Sequence, residues 1–83
     1  MLRRFTWRQV GIEEVKMLPH QQKVVDEKSE LDRKLTALRI FIIGDRYHTL
    51  PVDEKDRLFR QSQIMSDYSD ILGERITAFP SGE

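Results

Sequence analysis

The chain has 83 residues, with 14 basic and 14 acidic side chains, a formal net charge of zero and no cysteine. That length makes one small domain with a thin core, the lack of cysteine excludes a disulfide framework or a thiolate metal site, and the balanced charge argues against duplex nucleic acid as a partner. The longest apolar run, Ile40 to Ile43, is too short to span a bilayer, and MLRRFTWRQV lacks the apolar stretch of a signal peptide, so a soluble, cytosolic protein is expected.

Within residues 1–17 the stretch TWRQVGIEEVKML suits a short N-terminal helical segment, weakened by Gly11. Pro19 then fits a first helical turn, where its missing N–H costs nothing. Val24, Leu31 and Leu38, with Leu35 and Ile42, recur at spacings of three, four and seven, which only a helix places on one face. Gly44 is placed as a stop, so a helix is predicted over 19–43. GDRYHTLPV reads as a connector. Asp53 can offer its carboxylate to free N–H groups, which starts a second helix over 53–79. Its stripe is Leu58, Gln61, Met65, Tyr68, Leu72, Arg75 and Phe79, ended by Pro80 and Gly82, with 80–83 as a tail.

Two helices of this length with a short connector predict a single all-α domain over 1–83, an antiparallel two-helix hairpin preceded by a short helical segment. Such a hairpin buries little by itself. Val25, Ile40, Phe41, Ile43, Phe59, Ile64 and Ile71 lie off the main stripes and widen the apolar face, so assembly as a helical homo-oligomer is expected. Charge is unevenly spread: residues 1–23 hold five basic and two acidic side chains, whereas residues 66–83 hold one basic and four acidic ones.

Lys28 stands where the first stripe calls for an apolar side chain. With equal rise in both helices, facing residue numbers should sum to about 96. This predicts Leu31 opposite Met65, Val24 opposite Leu72, Leu35 opposite Gln61, Lys28 opposite Tyr68, and His20 or Gln21 opposite Arg75. The polar exceptions therefore fall toward the end of the hairpin away from the connector. Each also has an ordinary reading. Lys28 can lay its methylenes on the seam with its ammonium in water or beside Asp67, Arg75 can offset a helix dipole, and Tyr68 can be core with its hydroxyl at the rim. His20 can be a surface residue of the first turn, and Gln61 can set register.

The inventory for catalysis is poor. His20 and His48 lie on different elements without metal-ligand spacing, and neither a phosphate loop, a nucleophile elbow nor HExxH occurs. No enzyme, metal or cofactor is expected. A lysine, an arginine, a tyrosine and a glutamine on rigid helices do suit an anion with rings: cations pair phosphate oxygens, the aromatic face stacks on a base, and the amide reads base edges.

LPHQQKVVDEKSELDRKLTALRIFI followed by LFRQSQIMSDYSDILGERITAF resembles the phage hairpin domain shared by anti-CBASS protein 2 and the Thoeris anti-defence protein of the first type. The likeness spans residues 18–79 and is most specific at His20, Gln21, VVDEK with Lys28, ELD, Gln61, Met65, Tyr68 and LGERI with Arg75. It implies a small helical oligomer, a hexamer, that acts in the host bacterial cytoplasm. There it would sequester cyclic di- or trinucleotide messengers of CBASS-type immunity without cleaving them, in pockets shared between protomers. It implies that Lys28 contacts phosphate and that Tyr68, Arg75, His20, Gln21 and Gln61 complete the site. The aromatic residue that relatives supply before the first long helix has no tyrosine counterpart in VGIEEVKML. Trp7, Phe5 and Tyr68 are candidates to replace it, and a trinucleotide or an ADP-ribose-type signal is an alternative ligand. Two other classes stay open: a protein-binding adaptor or structural oligomer using the broad apolar face, and a DNA-binding accessory using LRRFTWR.

Overall fold

Pro19 opens the first long helix. Its ring presets a helical φ, and Leu18 before it is extended (φ −73°, ψ 156°), as a residue preceding proline prefers. In the computed structural model, which describes residues 17–80, this helix, α1, spans Pro19–Ile42. A single turn, α2, spans Asp45–His48, and the second long helix, α3, spans Val52–Thr77. The described residues are thus all-helical, without strands. The expected N-terminal segment over 1–17 lies, but for Met17, outside them.

Two boundaries differ in mechanism from the sequence reading. Gly44 follows the end of α1 but is not left-handed: it is extended (φ −92°, ψ 174°) and precedes Asp45 as the N-cap of α2. The connector is therefore partly helical. Asp53 does not cap α3. The helix starts one residue earlier with Pro51 at its N-cap and no side-chain cap hydrogen bond, and Asp53 and Glu54 lie in the first turn, where negative charge suits the helix dipole.

The connector is pinned at its centre. Tyr47 meets Phe41 edge-to-face, with ring centroids 6.5 Å apart, and its hydroxyl donates to the Lys55 carbonyl at 3.0 Å. This ties the end of α1 and the start of α3 to one aromatic side chain, a geometry that favours ring edges against ring faces. With the chain reversed there, α1 and α3 run antiparallel, about 36 and 39 Å long at 1.5 Å per residue, and pack along their length.

The seam on α1 reads Gln21, Val24, Lys28, Leu31, Leu35, Leu38 and Ile42, each buried or half-buried. On α3 it reads Leu58, Ser62, Met65, Ser69, Leu72 and Ile76, continued by Phe79 beyond the helix. Steps of three and four alternate without a break in both, the spacing of paired helices. The apolar core is small. Val24, Leu35 and Leu72 are its buried members, and Leu72 alone is fully enclosed at 0% exposure. Much apolar surface stays outside: Ile40, Ile43, Phe59, Ile64 and Ile71 are all exposed. None of the described helices is long and apolar enough to cross a membrane.

Candidate functional site

Lys28 does occupy a seam position, and α3 is shaped to receive it. The residue opposite is Ser69, a short side chain that leaves room for the lysine stem. One turn further along stands Gly73, where a Cβ would come within 3.3 Å of Lys28 Cε. A side chain larger than a methyl group at either place would compete with the lysine stem for this space. The Lys28 ammonium donates to Ser69 Oγ at 2.9 Å and to Asp32 Oδ2 at 2.8 Å. Ser69 in turn donates to Asp32 Oδ1, closing a three-membered ring of hydrogen bonds between α1 and α3. The lysine is thus not snorkelling into bulk water. It is charge-paired within the seam, as a half-buried ammonium must be to offset its desolvation.

Asp32 remains ionised more readily than an ordinary aspartate. The hydrogen bond from Lys28 lowers its pKa most, and that from Ser69 adds to this. Beside this ring lies an open groove of about 610 Å³, lined by Lys28, Ser69, Asp70, Gly73, Glu74 and Thr77. Its floor is α3, and among the described residues Lys28 is its one basic lining residue. Asp70 and Glu74 are exposed acids along the same wall.

The other sequence-predicted residues lie apart from Lys28. Tyr68 does not face it: 42% exposed, it lines a smaller depression of about 230 Å³ with Glu27, Glu30, Leu31 and Lys34. Gln61 is exposed, with its amide 3.7 Å from Met65 Sδ, and Arg75 is exposed on the last turn of α3. Leu35 and Gln61 are consequently not a buried seam pair, nor are Gln21 and Arg75. His20 is exposed in the first turn of α1. Gln21 is buried, and its side-chain oxygen accepts the Leu18 N–H at 3.0 Å, a bond that closes the start of the helix. Trp7 and Phe5 lie outside the described residues.

The cause is one rotation. Leu58, Met65, Leu72 and Phe79 belong to the seam as expected, but the residues between them are Ser62, Ser69 and Ile76 instead of Gln61, Tyr68 and Arg75. Ser62 tolerates burial because its hydroxyl donates to the Phe59 carbonyl at 2.7 Å. Ser69 tolerates it through Lys28 and Asp32. Both hydrogen-bond partners of Lys28 therefore escaped the sequence reading, although Asp32 stands at the i+4 spacing that places two side chains together on a helix.

Gln61, Ile64, Tyr68, Ile71 and Arg75 instead form their own stripe of threes and fours on the exposed side of α3. Among the described residues no group of three or more His, Cys, Asp or Glu is placed to hold a metal ion.

No curated protein and no solved structure matches the chain. A family model described as Sequestin matches residues 18–78, a span that runs from the residue before Pro19 to the C-cap of α3 and includes the whole Lys28 groove. The family's name denotes sequestration of a ligand. Over nearly all of its described hairpin, then, the chain is a Sequestin: it belongs to the Sequestin family.

Proposed function

We propose that this protein is a phage anti-defence sponge that binds cyclic oligonucleotide messengers of CBASS-type bacterial immunity and holds them without turnover. The observation that carries the reading is Lys28: a lysine in the seam of a Sequestin-family hairpin, with its ammonium beside an open groove. The family supports sequestration, and the likeness to the anti-CBASS and Thoeris hairpin domain supplies the ligand class. The chemistry agrees in kind, since an ammonium and a hydroxyl side by side suit phosphate oxygens.

One hairpin offers half of such a site. Lys28 faces the groove, while Tyr68, Gln61 and Arg75 sit on the stripe that also carries Ile64 and Ile71. A second copy packed on that stripe would bury the two isoleucines and lend its tyrosine face, amide and guanidinium to a neighbour's groove. His20 and Gln21, at the start of α1, would close the site from its end. We take the assembly to be a homo-hexamer in the host bacterial cytoplasm, as the likeness implies.

Calorimetry with a panel of cyclic di- and trinucleotides tests this. Saturable binding, with intact ligand recovered after heating the complex, is the expected result. Lys28→Ala should abolish binding while the helical circular dichroism persists. A panel in which no member binds sinks the reading.

The exposed Ile64 and Ile71 favour one alternative, a structural or adaptor role in which the same stripe docks on another protein. It predicts that polar substitutions there abolish partner capture while Lys28→Ala changes nothing.

A further inference from the structure

We infer that Asp32 is a built-in counter-anion of the expected phosphate contact at Lys28, held there by Lys28 and Ser69 until a ligand phosphodiester takes its place. This deepens the sponge reading and rests on it for the ligand class, though not for the Lys28–Ser69 seat itself.

The geometry of the ring carries it. Asp32 presents two oxygens to two donors, Oδ2 to the Lys28 ammonium and Oδ1 to the Ser69 hydroxyl. The two non-bridging oxygens of a phosphodiester make the same two-acceptor pattern, so one anion can replace the other without leaving a donor unpaired. Lys28 and Ser69 are themselves 2.9 Å apart and stay in contact through such an exchange.

The three partners differ in freedom to move. The Ser69 side chain is buried. The Lys28 stem runs alongside α3 at Gly73, and its side chain is the less exposed partner of the ion pair. Asp32 is the most exposed of the three, its side chain 45% accessible against 29% for Lys28. It can rotate into water and be solvated there, so the carboxylate is the member that leaves.

The surroundings set the charge of the guest. Asp70 and Glu74 line the groove beside the ammonium, and Asp32 remains within one side-chain length after it swings out. Among the described residues one ammonium stands beside these three carboxylates, with Arg39 acting on Asp32 from further off, a balance that penalises a dianion more than a monoanion. A terminal phosphomonoester, close to a dianion at neutral pH, meets stronger repulsion than an internal diester. The seat thus favours a phosphodiester over a terminal phosphomonoester, and a linear, end-phosphorylated product can enter it only through its internal diester.

The test uses the full chain in wild-type, Asp32→Asn, Asp32→Ala, Ser69→Ala and Lys28→Ala forms. NMR titrations with dimethyl phosphate and methyl phosphate read the seat, and calorimetry with cyclic di-AMP and linear pApA reads the sponge. Both Asp32 variants should tighten dimethyl phosphate about three- to fivefold, the factor a partly exposed ion pair carries, and narrow its advantage over methyl phosphate. Lys28→Ala and Ser69→Ala should weaken it. The inference is overturned if removing Asp32 leaves dimethyl phosphate affinity unchanged or lowers it in chains that keep their helical signal. It is equally overturned if dimethyl phosphate perturbs neither residue 28 nor residue 69 in any form. Should dimethyl phosphate titrate the seat while no cyclic oligonucleotide binds, the seat stands and the sponge reading fails.

Discussion

Gly73→Ala should separate the stability of the hairpin from the competence of its site. Gly73 lies inside α3, four residues before its end, where glycine costs about 0.8–1 kcal/mol relative to alanine through backbone entropy. The new methyl group would stand 3.3 Å from Lys28 Cε, against a favourable carbon–carbon separation of about 3.5–4.0 Å. The lysine stem is flexible, so it can retreat by a few tenths of an ångström. Its ammonium, 2.9 Å from Ser69 Oγ and 2.8 Å from Asp32 Oδ2, then moves toward the limit of a hydrogen bond. Because the Asp32 side chain is partly exposed, loosening that pair takes little from the fold. The net expectation is a gain of about 0.5–1 kcal/mol, or about 2–8 °C in Tm for a domain of this size. Affinity for the proposed phosphate-bearing ligand should fall about three- to tenfold, part of the roughly 10- to 150-fold that complete loss of a charged hydrogen bond brings. Thermal melts by circular dichroism at one fixed protomer concentration, paired with calorimetry, measure both. A lower Tm would refute the reasoning, since it would mean that the Lys28 stem cannot yield. Unchanged affinity at a raised Tm would show that the ammonium's position against Ser69 is immaterial to binding.

Leu72→Ala empties the fully enclosed side-chain site of the seam and should cost about 2–5 kcal/mol, read as a lower urea midpoint; a loss below about 0.5 kcal/mol, the scale of a surface substitution, would contradict its place in the core. Ile64→Lys together with Ile71→Lys, at positions 67% and 53% exposed, should reduce the proposed homo-oligomer to monomers in sedimentation velocity while leaving each hairpin helical; a sedimentation coefficient that does not differ between wild type and variant would contradict an interface on that stripe. Acidification tests the ring: Lys28 and Ser69 hold the folded-state pKa of Asp32 below its unfolded value, so its contribution is present above about pH 4 and is lost as pH falls further through the folded-state pKa. Asp32→Asn should therefore flatten the acid side of the stability profile, and an identical acid slope in wild type and variant would contradict the ring.

Much of this protein was legible in its residues. Alternating steps of three and four from Val24 to Ile42 admit only a helix, and Pro19, Gly44 and Pro51 bracket the elements to within a residue or two of where they occur. The placement of Lys28 in the seam was equally legible, because Val24 and Leu31 on either side fix its face through the helical period alone. Periodicity on α3 left two answers. Leu58, Met65, Leu72 and Phe79 are compatible with a seam completed by Gln61, Tyr68 and Arg75 or by Ser62, Ser69 and Ile76, since the two sets differ by one residue, or about 100° of rotation. Hydrophobicity favours neither set decisively. Packing chooses the second because a seam that must admit a lysine needs a small residue opposite it, and because both serine hydroxyls find partners when buried, Ser62 at Phe59 and Ser69 at Lys28 and Asp32. The sequence by itself therefore determined two helices and one misplaced lysine. The tertiary structure decided what that lysine touches, because contact across a seam depends on the rotation of the partner helix, a quantity set by size and hydrogen-bond satisfaction between segments some forty residues apart.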